Sequence, residues 1–140
     1  MVSRTRHNLV GIVLGALIAV LGVTTALAEG FFSSYMSNVY PGFSSRTWDD
    51  DNTDSTSTWV YFEDCRYGGL TSVNTDIRIR KENSWWPDET VGESNLNCYA
   101  SDIAYFGDMN AADYHFDIKY VMGTQYPANP LDVLYLDVGW

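Results

Sequence analysis

Positive charge is scarce in this chain, whose 140 residues carry 8 lysines and arginines against 18 aspartates and glutamates. Two of those eight, Arg4 and Arg6, sit at the very start. So few cations on an acidic chain repel phosphate backbones and anionic lipid, which excludes nucleic acid as a partner. Histidine is rarer still, with His7 in the basic start and His115 far downstream. Cys65 and Cys98 are the only cysteines. With no Cys-x-x-Cys pair and no Cys/His cluster, dithiol redox chemistry and zinc are poorly supported. A Gly-rich phosphate loop, a Gly-x-Ser-x-Gly elbow, heptads and an internal repeat are all missing.

Long apolar runs are missing too, except for one at the amino terminus. Arg4, Arg6 and His7 precede an uncharged stretch, 9–23, which is followed by Ala26-Leu27-Ala28. A basic start, an apolar middle and a small-x-small end read as a secretory signal cleaved after Ala28. The rival reading is an uncleaved anchor, since 9–27 is long enough to span a bilayer. The small residues at the end of the run favour cleavage. Glu29, not a cysteine, stands directly after the cleavage point, which speaks against a lipoprotein. The expected organisation is therefore a signal peptide, 1–28, and a single secreted domain, 29–140, with no membrane association after cleavage. That domain keeps 6 basic and all 18 acidic residues, a formal charge of −12. In an exported chain two cysteines predict one structural disulfide, Cys65–Cys98.

What is abundant is β-branched and aromatic residue in short alternating runs. Tyr114, Phe116, Ile118, Tyr120 and Met122 occupy every second position, with His115, Asp117 and Lys119 between them. This is the period of a strand with one buried face and one wet face. Val73, Thr75, Ile77 and Ile79 alternate with Asn74, Asp76, Arg78 and Arg80 in the same way. Trp59-Val60-Tyr61-Phe62 leads into Cys65 as a strand, and shorter strands are expected at 96–99 and 103–106. The last strand, 133–140, places Leu134, Leu136, Val138 and Trp140 in one phase. Segment 81–94 reads as a long connection. Segment 29–43 is ambiguous, because Phe32, Tyr35, Met36, Val39, Tyr40 and Phe43 follow a helical spacing in residues that form helices poorly. Residues 42–48 suit a sheet edge. Together these runs predict an all-β protein, a small antiparallel β-sandwich or jelly-roll-like domain with one disulfide.

Two constellations carry candidate chemistry. Trp85-Trp86-Pro87-Asp88 lies in a polar connection, and indoles beside a carboxylate suit sugar, whose apolar faces stack on rings while hydroxyls donate to acids. Tyr61, Tyr67, Tyr99 and Tyr135 are candidates to extend such a surface, though no local pattern fixes them on one face. The plainer alternative folds the two indoles back over an open end of the sheets. Asp50, Asn52 and Asp54 offer alternate oxygen ligands to a hard cation, with calcium the best match. The likeness to an EF-hand loop ends there, since Ser55 stands where glycine is wanted and Tyr61 where the bidentate glutamate belongs. A looser cluster is Asp108, Asn110 and Asp113. The plainer alternative for both is solvated loop. No catalytic residue is assigned. His115 between Asp113 and Asp117 reads as a solvated or hydrogen-bonded residue on the polar face of a strand rather than a general base.

The sequence thus points to a non-enzymatic extracellular binding module whose partner is a glycan or a surface protein. The rival class is a secreted effector, such as an inhibitor, a bacteriocin-like toxin or an immunity factor, that displays a loop. A small glycan hydrolase using a carboxylate pair is the third reading.

Overall fold

A computed structural model describes residues 29–140; the signal-peptide reading falls on residues outside that range. Among the described residues there are eight strands and no helix. They are β1 (Phe31–Val39), β2 (Trp48–Asp50), β3 (Thr58–Tyr67), β4 (Val73–Lys81), β5 (Glu89–Cys98), β6 (Ser101–Gly107), β7 (Ala112–Val121) and β8 (Leu131–Gly139). They form two antiparallel four-stranded sheets, one ordered β1-β8-β3-β6 and the other β2-β7-β4-β5.

Alternation dictates which side chains meet between the sheets. From β3 come Val60 and Phe62, from β4 Val73, Ile77 and Ile79, and from β7 Phe116 and Ile118, all buried. The ring of Phe62 meets that of Phe116 across the core, 5.9 Å between centroids. One end of the core is aromatic, where Phe32, Trp48, Tyr114 and Trp140 contact one another at 6.0 to 6.3 Å. The Arg46 guanidinium closes the side there, 3.8 Å from the Phe32 ring centre.

Strict alternation fails at one place in each of three long strands. Buried positions run Val60, Phe62, Cys65 in β3, Phe116, Ile118, Val121 in β7, and Val133, Leu136, Val138 in β8. Each slip turns the following residues over to the other face, as an extra residue in a pleated strand must. So Tyr120 and Met122 leave the core and Val121 enters it, contrary to the expected five-residue stripe. Likewise Leu134 points outward and Val133 inward. In β3 the slip falls at Asp64, which takes a left-handed backbone with φ 53°. Without it Cys65 would face solvent. With it, Cys65 reaches Cys98 on the opposite sheet, and the predicted disulfide joins β3 to β5.

Bulges also explain segment 29–43. Its buried residues, Phe32, Met36 and Val39, are spaced by four and then three, like a helical stripe. The segment is nevertheless strand β1, whose register against β8 shifts between Ser34 and Met36 and again between Met36 and Val39. β5 is longer than expected. It begins at Glu89 and pairs with the whole length of β4, so the connection shrinks to 82–88. Its exposed, mostly polar residues hide the strand period. Residues 42–48 run along β7 as expected of an edge, with Ser44 bridged to Asp117 and the Ile118 amide donating to the Phe43 carbonyl.

Candidate binding surfaces

The short connection between β4 and β5 carries Trp85 and Trp86. Their exposures are 92% and 77%, so the indoles do not fold back onto the sheets. The loop beneath them is braced at both ends. The Asn83 amide donates to Asp88 Oδ1 at 3.1 Å, and Asn83 Nδ2 to the Pro87 carbonyl at 3.3 Å. Arg80 donates to the Asp88 carbonyl and to Thr90 Oγ1. Glu82 and Asp88 then anchor the loop on the outer face of β7, where His115 lies with Nδ1 3.2 Å from Glu82 Oε1 and Nε2 4.0 Å from Asp88 Oδ2.

His115 and Asp117 were expected to be wet, and both are buried. The edge segment 42–48 and the β4 side chains cover them. Asp117 Oδ1 accepts from Ser44 Oγ at 2.6 Å and lies 3.3 Å from His115 Nε2, while Oδ2 accepts from Arg78 Nε at 3.1 Å. Thr47 donates to Glu82. This network gives the single histidine of the described residues three carboxylate neighbours, and its hydrogen bonds tie the indole loop to the sheet.

The acidic run occupies the opposite end of strand β2. Asp50 is buried, and its Oδ1 accepts the Asn52 amide at 3.0 Å; Asp54 Oδ1 accepts the Thr56 amide at 2.5 Å. Glu29 takes the amides of Asp51, Thr53 and Asp54. These oxygens therefore organise the loop's own backbone, in the manner of Asx turns. Among the described residues no three His, Cys, Asp or Glu side chains converge as metal ligands. Burial raises the Asp50 carboxyl above the ordinary carboxylate range; the Asn52 amide opposes this, and the Glu29 charge adds to it. A raised carboxyl favours the folded state while protonated and loses that contribution as pH rises through its folded pKa. Asp50→Asn should therefore stabilise the protein at pH 8 and give no gain at pH 4. Thermal melts at both values test this, and an advantage confined to pH 4 would refute it. The same melts with millimolar calcium, against sodium at equal ionic strength, test the calcium reading of Asp50, Asn52 and Asp54, because a bound cation raises the melting temperature by mass action.

No family model, curated protein or solved structure matches the chain. Function must therefore be argued from the surfaces themselves. Of the tyrosines considered with the indoles, Tyr61 and Tyr135 lie on the outer face of the first sheet, Tyr67 is half-buried and Tyr99 is exposed at the β5–β6 turn. None is on the indole loop. Asp88, by contrast, sits at the foot of that loop, as its place in the sequence requires. That the first sheet's outer face also carries Phe31, Trp59, Ile103 and Tyr105 was missed. The local signal was present in the outward phase of each strand, but only the registers between strands join these residues into one surface.

Proposed function

We propose that this chain is an exported, non-enzymatic β-sandwich of jelly-roll type that binds an extracellular glycan through Trp85 and Trp86. The observation that carries the reading is the pair of indoles held almost fully in solvent on a braced loop. Leaving two such rings wet forgoes a large apolar burial, which is expected of a surface that meets a ligand. The orders β1-β8-β3-β6 and β2-β7-β4-β5 support the jelly-roll reading. A disulfide between buried cysteines is compatible with an oxidising, extracellular setting, and no helix among the described residues is long and apolar enough to cross a membrane. Asp88 holds the loop with one carboxylate oxygen, and the acidic chain favours uncharged or cationic partners over anionic ones.

A glycan array probed with the protein tests the proposal. Trp85→Ala with Trp86→Ala should abolish binding to the oligosaccharides that the loop recognises while changing stability by about 0.5 kcal/mol or less, since neither ring is packed. Unchanged binding by the double variant would remove the loop from the site. The braced, protruding loop also suits an inhibitor or toxin that presents it to a protein. In that case the same variant would lose binding to a purified enzyme or receptor, and the array would be blank.

A further inference from the structure

The outer face of the first sheet is apolar where a solvent-facing sheet is ordinarily polar. Its registers place side chains in three rows. One row runs Phe31, Gly139, Trp59, Tyr105, and the next runs Ser33, Asp137, Tyr61, Ile103. The third continues through Tyr135, Glu63 and Ser101. At ordinary strand spacing these rows cover roughly 14 Å by 14 Å. Phe31, Tyr105, Tyr135 and Ile103 are exposed, and no lysine or arginine lies in any row.

The face is flat as well as apolar. Gly139 supplies no side chain, and the Trp59 indole lies across it. A β-carbon at 139 would stand 2.4 Å from the indole. Phe31 borders the same ring at 5.9 Å. Tyr61 Oη donates to Glu63 Oε2 at 2.7 Å, which fixes a carboxylate beside the phenol. Asp137 stands opposite both Tyr61 and Ser33.

We propose that this face is a second carbohydrate-binding surface, a platform for an extended uncharged polysaccharide. Flat rings stack on the C–H faces of successive sugars, and Glu63, Asp137 and the tyrosine hydroxyls accept from sugar hydroxyls. Charge complementarity separates this occupant from others. Within the three rows an anionic polymer would meet two carboxylates and no cation; Arg66 lies past them, opposite Asp132. A second copy of the chain, paired through the same three rows, would bury Glu63 and Asp137 with no lysine or arginine of either copy's rows to pair with them. A protein partner anchors hot-spot side chains in recesses, whereas within the rows Trp59 fills the position that Gly139 leaves open; the recess among Tyr35, Ser37, Arg66 and Leu134 lies outside the three rows. The proposal shares its ligand class with the Trp85–Trp86 reading but no residue, so each can fail alone.

Affinity electrophoresis of the full secreted protein through gels of hydroxyethyl cellulose, glucomannan, laminarin and polygalacturonate tests it. Retardation is expected in at least one neutral polymer and not in polygalacturonate. Tyr61→Ala with Tyr105→Ala should weaken that retardation roughly tenfold or more, as should Tyr105→Ala alone by a smaller factor. Both positions face outward, and unchanged melting curves will confirm that the variants fold. Trp85→Ala with Trp86→Ala should leave the platform's share of the retardation in place. Three results overturn the proposal: wild-type retardation by the Tyr61/Tyr105 variant, no retardation of the wild type in any neutral gel, or a solution dimer that Tyr61→Arg dissociates. Loss confined to the indole variant would overturn the platform and leave the loop reading standing.

Discussion

Replacing Cys65 and Cys98 together with alanine should lower stability by about 3–5 kcal/mol. The bond closes a chain segment of 33 residues, a separation worth roughly 3–4 kcal/mol in the chain-entropy account. Its position adds to that. It ties β3 in one sheet to β5 at the edge of the other, and both sulfurs are buried in the shared core. Removing them leaves unfilled volume that the neighbouring side chains close only in part. Urea unfolding should show a lower midpoint and also a steeper dependence on denaturant, because the uncrosslinked denatured chain exposes more surface. Equal midpoints for the oxidised protein and the double alanine variant would show that the sheets hold together without the bond.

The second large effect is at the centre of β7. Phe116→Ala should cost about 3–5 kcal/mol, and Lys119→Ala well under 1 kcal/mol. Phe116 is fully buried, lies on a strand flanked by β4 and by the 42–50 edge, and packs on Phe62 of the other sheet. Deleting its ring opens a cavity at the junction of both layers. Lys119 follows the last regular position of the strand and reaches outward to Glu93 at 2.7 Å, an exposed pair of little net worth. Urea or thermal unfolding of the two variants measures the difference. Comparable losses would mean that the outward face at 119 is packed, against its geometry.

The parts of the fold legible in the sequence are those where pairing is regular. β4 alternates as Val73, Thr75, Ile77 and Ile79 demanded, and in the first half of β7 Tyr114, Phe116 and Ile118 enter the core as expected, although the residues between them are covered as well. β1 was obscured because its bulges reproduce the spacing of a helix, and the second half of β7 and the first half of β8 because one extra residue inverted their phase; Leu136 and Val138 face the core as their alternation implies. Nothing local marks such a residue; Asp64 is left-handed, as aspartate tolerates, but its neighbours do not announce it. The covering of His115 and Asp117 was equally hidden, since Ser44 arrives from one distant stretch and Arg78 and Glu82 from another. The indole pair was legible as a candidate, and its exposure was decided by a hairpin shorter than the sequence implied.

The order of strands in the first sheet also sets the timing of assembly. β1, at the amino end, pairs only with β8, at the carboxyl end, and the backbones of Gly30 and Trp140 close the ladder with bonds of 3.0 and 3.1 Å. β3 likewise lacks one neighbour until β8 arrives. A nascent chain therefore cannot complete this sheet before β8 has left the ribosome. Contacts between such remote positions make folding slow, on a scale of milliseconds to seconds for β topologies. Until β8 arrives, β1 has no partner and β3 keeps one unpaired edge, so Cys65 and Cys98 are both made well before the sheet that holds β3 is complete.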